Sequence, residues 1–451
     1  MLRLIYWLTI FFGIFFLHST HYLNSDEGVL LGGAWNLFNH RQLYLDFFAF
    51  IPPAGFYLVY FCWKIFGVGF WPAQILADLI WFVGIVGIFS ISQKVCRSWI
   101  NYIIPIFLVF VSAWFWLINH NVFNTVCLIW ATYFLLSYLK DNKIISVCWA
   151  GLMSGLGILF LQQKGLAFFG AAASFIFFSL LFRKEFVAQA KVLFYYTIST
   201  IAPLLILLLW PLKVLYSNLI DFPLLHYIEA NRISYARLGL FSVIWLLVVL
   251  FLRREKRQDL RLLLYLQAFL LVACWPLPDK YHLFLSLFPL FSLASFIYLR
   301  TVRSGIIEKI VLAVVALIFI LQLLVPSIIY LKDKWWGPFS FRSQKFIAYI
   351  QENCHSPYLF VGPFFPNLYF ESGKVNATSF DILISGHQTE EQFASALGDL
   401  AENRPDCAIL AYADPLQRFR HKRDNVVESY IRREYDLVFD VEDKLYFYKV
   451  K

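Results

Sequence analysis

The chain has 451 residues, of which 60% are hydrophobic and only 15% are charged, and it carries a formal net charge of +9 at pH 7. Soluble proteins of this length hold a larger charged fraction, so the composition excludes an ordinary soluble enzyme and predicts a protein with many membrane spans. The cations follow the pattern that membrane topology imposes, and nothing in their spacing indicates a nucleic-acid partner.

Eleven apolar stretches come close to the length that crosses the hydrocarbon core of a bilayer. The first resembles a signal-peptide core, but His-Ser-Thr-His follows it in place of a small-residue cleavage site, so we expect it to remain as a span. The predicted spans are residues 4–20, 71–93, 100–118, 122–139, 144–160, 166–182, 192–215, 238–252, 262–275, 283–299 and 308–330.

The cations in the loops between these spans are unevenly divided. Sixteen lysines and arginines fall on the side of the N-terminus and seven on the other side. Because cytoplasmic loops carry the excess of cations, we predict a membrane protein with a cytoplasmic N-terminus. On this topology residues 1–331 form a transmembrane domain with a first outer loop at 21–70, and residues 332–451 form an extracytoplasmic domain.

The first outer loop places three acids, Asp26, Glu27 and Asp46, where the chain first meets water on the outer side. Two amphipathic stretches of this loop, residues 27–38 and 54–66, are too short or too polar to cross and are expected to lie along the membrane interface. Carboxylates in such a loop are candidates for catalysis. Asp26 taken alone is also explained as a helix cap, because Ser-Asp-Glu is a favourable helix start.

Several cations fall in outer connections, against the topological bias. Such residues either hold an anion or extend toward lipid headgroups, and the sequence leaves both explanations open. The candidates for binding an anion are Lys164, Arg232, Arg237, Lys280 and His282. Asp78 lies within a predicted span and is expected to face a polar interior.

After residue 331 the composition turns polar and strands alternate with helices, which predicts a small α/β domain. The predicted helices are 341–352, a turn near 366–372, 388–403 and 422–433, and the predicted strands are 357–362, 406–412, 435–440 and 443–450. Asn376 begins a glycosylation sequon, a short pattern that often arises by chance. Cys354 and Cys407 both fall in this part, and the sequence leaves open whether they form a disulfide.

These residue types suit the transfer of a sugar from a lipid phosphate to a hydroxyl acceptor. The reaction needs a carboxylate that takes the hydroxyl proton and cations that stabilise the departing phosphate. Asp26 is the candidate base, Glu27 or Asp46 would position the acceptor, and the outer cations would face the phosphate. Three acids near one loop permit a divalent cation without requiring one, and no other cofactor is implied.

The acidic loop also carries a family resemblance. Asp26-Glu27-Gly28 is followed by Ala34-Trp35, by Tyr44-Leu45-Asp46-Phe47-Phe48, and by Pro52-Pro53 and Tyr57, with further similarity at residues 155–165, 278–283, 366–370 and 376–381. This pattern resembles the GT-C membrane glycosyltransferases, among them the protein O-mannosyltransferases, the lipid A aminoarabinose transferases and their bacterial relatives. The resemblance implies an α-helical polytopic fold, a polyprenyl-phosphate-linked sugar donor, inversion at the anomeric carbon, and Asp26 as the catalytic member of the Asp-Glu pair.

Two other functions fit a chain of this kind. A lipid or solute transporter would also use many spans, but internal repeats are missing from the sequence and the charges gather at span ends. A non-catalytic assembly subunit would use the polar tail to bind partners. For a transferase in the lipid membrane, a glycan, a lipid or a protein would each serve as acceptor, and the sequence does not specify the donor sugar.

Overall fold

The computed structural model describes residues 1–18, 25–115, 117–182, 186–228, 231, 234–336, 341–412, 419, 421–441 and 445–451. These residues are mainly helical, as predicted, with one small sheet near the C-terminus. The chain forms two compact units. The helical unit comprises Met1–His21, Ile75–Leu207 and Ile233–Gly337, and the α/β unit comprises Tyr22–Gln74, Leu208–Arg232 and Pro338–Lys451.

The α-helices are numbered here in chain order. They are α1 (Leu2–His18), α2 (Ser25–Phe38), α3 (Ala54–Phe66), α4 (Phe70–Val95), α5 (Ile103–Val111), α6 (His120–Asp141), α7 (Ile144–Phe160), α8 (Gln162–Phe182), α9 (Phe186–Leu204), α10 (Leu212–Tyr216), α11 (Ala236–Leu252), α12 (Gln258–Val272), α13 (Lys280–Ser286), α14 (Phe288–Val302), α15 (Ile306–Phe319), α16 (Val325–Trp336), α17 (Phe341–Asn353), α18 (Asn367–Ser372), α19 (Glu390–Asn403) and α20 (Val426–Glu434).

Each of the eleven predicted spans falls on a helix or on adjoining helical segments. Among the described residues, four helices are long and apolar enough to cross a bilayer, and α13 with α14, bent by 58° at their junction, makes a fifth if the pair is one span. The four are Phe70–Val95, His120–Asp141, Ala190–Leu209 and Ile306–Leu331. The helical membrane fold is therefore confirmed, whereas the count of eleven spans stays a prediction.

Small residues allow two helices of the helical unit to approach closely. Gly151 and Gly155 lie one turn apart on α7, and a Cβ atom at either position would overlap the backbone of α9, at Tyr196 and Thr200. In a membrane, where lipid tails are as apolar as leucine, such close packing replaces the hydrophobic effect as a source of helix association. The glycines therefore allow α7 and α9 to pack directly against each other.

The α/β unit is built on a five-stranded sheet of order β2-β1-β3-β5-β4. Its strands are β1 (Tyr358–Pro363), β2 (Val375–Asn376), β3 (Cys407–Ala411), β4 (Tyr435–Val441) and β5 (Leu445–Val450). The first three strands are mutually parallel, and β5 pairs antiparallel with both β3 and β4. The predicted strands are confirmed, while the two-residue strand β2 is an addition that its length hid from sequence patterning.

Both faces of the sheet are buried. Side chains alternate along a strand, so Leu359 and Val361 of β1 join one apolar cluster and Phe360 joins the cluster on the opposite face. Cys354, just after α17, forms a disulfide with Cys407 at the start of β3, with 5.7 Å between their Cα atoms. The pairing that the sequence left open is present, and it ties α17 to the centre of the sheet.

The first outer loop folds with this sheet. The Trp35 indole N–H donates to the carbonyl oxygen of Lys374 at 2.7 Å, and the Phe48 amide donates to the carbonyl oxygen of Ser379 at 2.8 Å. Gly28 lies so close to α18 that a Cβ atom there would overlap the Asn367 side chain. Residues 22–74 therefore form one compact unit with the C-terminal tail. The domain boundary predicted at residue 331 stays a prediction.

Candidate active site

Asp26 and Glu27 occupy the first turn of α2, where the helix dipole favours negative charge. The two acids differ in exposure: Glu27 is 1% exposed, whereas Asp26 keeps part of its surface accessible. Gly28, the next residue, is the point of close approach to α18. The Asp-Glu-Gly sequence thus combines one accessible acid, one buried acid and one position without room for a side chain. Of the pair, Asp26 is the more exposed acid.

Asp46 lies in a tight turn and is exposed. Its Oδ2 accepts a hydrogen bond from the Gln42 amide at 2.7 Å, and its carbonyl oxygen accepts one from Arg41 at 2.6 Å. Tyr44, in the middle of this turn, has a positive φ of 66°, and its hydroxyl donates to the carbonyl oxygen of Ile51 at 2.8 Å. The Asp46 carboxylate therefore closes a turn that carries an unfavourable backbone conformation.

Arg41 connects the loop to the tail within the α/β unit. Besides Asp46, its guanidinium donates to Asn36 Oδ1 at 3.2 Å and to the carbonyl oxygens of Asn376 and Thr378 at 3.3 and 3.2 Å. A planar fork with five N–H groups suits several acceptors at once. Sequence analysis did not single out Arg41, because a single arginine in a loop shows no signal for acceptors more than 300 residues away.

Asp381 is a buried carboxylate beneath the same arginine. It accepts hydrogen bonds from Asn376 Nδ2 at 2.8 Å and from Asn36 Nδ2 at 3.2 Å. Burial raises the pKa of this carboxyl, and the Asn376 hydrogen bond and the Arg41 charge oppose the rise. Asn376 is itself only 2% exposed. The sequon asparagine thus serves the interior of the unit, and the folded protein does not present it for glycosylation.

In the helical unit, two of the predicted cations, Lys164 and His282, lie together with Asp279 at the start of α13. Asp279 caps the helix: its Oδ1 accepts from the His282 amide and contacts the His282 ring Nδ1, both at 2.8 Å. Lys164 is 2% exposed and donates to the carbonyl oxygen of His282 at 3.1 Å. Burial alone would raise the pKa of Asp279, but the charges and hydrogen bonds of His282 and the Lys164 ammonium outweigh it and hold this pKa below its usual range.

The remaining predicted cations are placed differently. Lys280 is half-buried, and Arg237 is exposed yet near enough for its charge to act on Lys280. Arg232 lies outside the described residues. Sequence analysis missed His120, which is half-buried at the start of α6 and close enough to Lys164 and His282 for their charges to act on it. The signal was the polar run Asn119–Asn121 between two apolar stretches, which the span assignment treated only as a connection.

The described residues contain no group of three or more His, Cys, Asp or Glu side chains that could hold a metal ion. Two cavities are relevant to substrates. One, of about 400 Å³, lies in the α/β unit between the Asp46 turn, residues 217–226 and α19. The other, of about 820 Å³, lies in the helical unit and is almost entirely apolar, with Arg253, Arg254 and Arg300 among its few polar groups. Its lining suits hydrocarbon rather than sugar chemistry.

Comparisons with known proteins agree with this architecture. The family model of dolichyl-phosphate-mannose-protein mannosyltransferases matches residues 51–210. ArnT from Cupriavidus metallidurans, solved bound to undecaprenyl phosphate, is similar with a TM-score of 0.62 and 13% identity over 99% of this chain and 97% of that chain. The Archaeoglobus fulgidus oligosaccharyltransferase, in complex with Zn and sulfate, gives a TM-score of 0.58 at 10% identity over 99% and 73% of the two chains. The sequence matches none of the curated proteins.

This chain has a GT-C glycosyltransferase fold. The fold that the resemblance of the acidic loop implied is confirmed by structural similarity along nearly the whole chain, the tail included. Sequence identities of 10–13% show the fold and leave donor and acceptor to be argued from the residues of this chain. The GT-C neighbours are multi-pass membrane proteins, which agrees with the apolar helices of the helical unit.

Proposed function

We propose that this protein transfers a sugar from a polyprenyl-phosphate-linked donor to an acceptor hydroxyl, with inversion at the anomeric carbon. The observation that carries the proposal is an accessible carboxylate, Asp26, in the first turn of α2 of a GT-C fold. ArnT, which shares this fold along its length, binds undecaprenyl phosphate, a lipid of the donor's class. The acceptor that carries this hydroxyl is a glycan, a lipid or a protein.

In the proposed reaction Asp26 takes the proton of the acceptor hydroxyl. The freed oxygen attacks the anomeric carbon from the face opposite the phosphate, a new glycosidic bond forms, and the bond to the phosphate oxygen breaks. Polyprenyl phosphate leaves as a stabilised anion, so a separate general acid is not needed. Glu27 and Asp46 support this base: Glu27 is buried beside it, and Asp46 holds the shape of the loop that follows α2.

We assign recognition of the donor phosphate to the cationic cluster of the helical unit. Lys164 carries three N–H donors, and the structure gives its ammonium one carbonyl acceptor among the described residues. A buried ammonium is stable only with negative charge near it, which Asp279 supplies in part and a phosphate would complete. Lys280, His282 and Arg237 would also contact the phosphate. Arg232 is included among the proposed phosphate-binding residues because of its position in the sequence alone.

The proposed location is a bacterial-type inner membrane, with the N-terminus in the cytoplasm and the tail outside. Positive loop charge supports this orientation. So does the disulfide between Cys354 and Cys407, because such bonds persist in oxidising compartments and are rare in the cytosol.

The test is Asp26→Asn, assayed by transfer of labelled sugar from a panel of polyprenyl-phosphate sugars to membrane glycan, lipid and protein fractions. Removal of a general base should lower kcat by about 10²–10⁴-fold while thermal stability and donor binding stay unchanged. Asp436→Asn, an exposed acid on β4, is the matched control and should behave like wild type. Normal turnover of the Asp26 variant would refute the assignment, and an absence of transfer by the wild type would favour a transporter or an assembly subunit.

A further inference from the structure

The cavity of about 400 Å³ in the α/β unit has a lining that mixes aromatic and polar side chains. Its residues come from the Asp46 turn, from the segment 217–226 and from the tail near the start of α19. This volume lies within the range of about 300–1,000 Å³ that is usual for small-molecule sites. All three segments belong to the same compact unit, so the cavity is a feature of that unit alone.

One side of the cavity is aromatic. Phe48 and Phe222 meet edge to face with 4.8 Å between ring centroids, and Phe380 lies 5.8 Å from Phe48. Tyr44 and Phe47 extend this surface. Rigid rings of this kind offer an apolar surface at low entropic cost, against which the C–H face of a sugar ring can pack.

The other side is polar, and several of its hydrogen-bonding groups are not used by the protein. Asn218 is 8% exposed and donates to the carbonyl oxygen of Val214 at 2.9 Å, but its Oδ1 has no partner among the described residues. A buried oxygen without a partner is unfavourable unless a ligand or water satisfies it. Such an atom in a cavity wall marks the position of an incoming donor.

Two further groups complete the polar side. Gln392 uses its Oε1 to accept from the Thr389 amide at 3.1 Å in a capping box, which leaves its two Nε2 hydrogens without an acceptor among the described residues. The Asp221 carboxylate likewise shows no hydrogen bond or ion pair within the described part of the chain. Hydroxyls of Ser217, Ser379 and Ser395 lie around them.

We propose that this cavity binds a saccharide, and that the acceptor of the transferase is therefore a glycan. Vicinal hydroxyls of a sugar are at once donors and acceptors: they would donate to Asn218 Oδ1 and Asp221 and accept from Gln392 Nε2. The aromatic side would hold the apolar face of the ring. A lipid acceptor would need a continuous apolar lining, which this cavity lacks, and a peptide would need an extended groove. The inference rests on the proposed function only in calling the saccharide an acceptor.

The test uses the full chain in lipid nanodiscs and short oligosaccharides of mannose, glucose, galactose and N-acetylglucosamine as probes, with binding measured by ligand-observed NMR. Gln392→Glu keeps the capping box, since glutamate also serves at that position, but removes the two N–H donors. Asp221→Asn keeps the shape and removes the charge. Each variant should weaken binding of the recognised oligosaccharide about 3- to 30-fold, in line with the loss of one or two hydrogen bonds. Glu402→Gln, exposed at the far end of α19, should change nothing.

The outcomes separate this inference from the proposed function. Asp26→Asn should bind the oligosaccharide as wild type does while failing to transfer sugar to it. Binding without any transfer by the wild type would refute the transferase and leave the saccharide site standing. If none of the oligosaccharides binds, if binding is unaffected by both cavity variants, or if a serine- and threonine-rich peptide binds in their place, the saccharide site is refuted.

Discussion

Glu371 provides a quantitative test of the α/β unit, because it is a half-buried acid with one carboxylate oxygen buried and unpaired among the described residues. It lies in α18, one residue from the helix end, and its Oε2 has no hydrogen-bond partner among the described residues. Burial raises the pKa of this carboxyl from 4.5 to about 7. A proton bound more tightly in the folded state stabilises that state at low pH, fully below pH 4.5, and this contribution is lost as pH rises toward 7. The loss amounts to at most about 3 kcal/mol above pH 7.

The perturbation is Glu371→Gln, which keeps the shape and removes the ionisation. At pH 8 the variant should be more stable than wild type by about 1–3 kcal/mol, and at pH 4.5 the two should be equal. Thermal unfolding of the purified chain, followed by tryptophan fluorescence between pH 4.5 and 8, measures the difference. Glu402→Gln, at an exposed position of α19, is the control. A difference that is constant with pH, or one that grows toward acid, would refute the reasoning.

Each of the three other predictions concerns a residue within one unit: Arg41 and Cys354 in the α/β unit, and Lys280 in the helical unit. Arg41→Lys should destabilise the α/β unit by about 2–4 kcal/mol, because the ammonium group of lysine cannot replace a guanidinium that donates to several carbonyl oxygens. Thermal unfolding and limited proteolysis of the loop measure this loss of stability. Cys354→Ser should cost about 4 kcal/mol by the loop-entropy relation for the 53 residues that separate it from Cys407, and reductant should lower the wild-type melting temperature equally. Lys280→Met should raise the KM for donor about tenfold and leave that for acceptor unchanged; equal effects on both would contradict a phosphate contact.

The secondary structure of the tail could be predicted closely because its signals are local. The start of α19 is a capping box between Thr389 and Gln392, and the side chain of Asn425 caps α20 by accepting a hydrogen bond from the Glu428 amide. Strands β1 and β3 are short apolar runs, buried on both faces of the sheet. Each of these features lies within a few residues of sequence, so a pattern rule can detect it.

The assembly of the α/β unit could not be predicted, because its decisive contacts are non-local. Trp35 donates a hydrogen bond to the carbonyl oxygen of Lys374, and Gly28 packs on Asn367. No local sequence pattern predicts either contact, because more than 300 residues separate the partners. Hydropathy separates apolar from polar stretches. It therefore divides the chain at residue 331 and assigns the first loop to the span that precedes it. The same limitation hid the cavity that residues 217–226 help to line.

The three acids of the first loop illustrate how far residue types alone carry an assignment. The sequence places all three acids in one loop, but only the family resemblance distinguishes Asp26 as the candidate base. In the structure Glu27 is buried and Asp46 lies in a turn outside α2, so Asp26 is the acid that combines partial exposure with a helix N-terminus. The helix dipole favours negative charge at that position. The close packing of Gly28 on the tail then fixes the start of α2, so the tail contributes to the geometry of the proposed base.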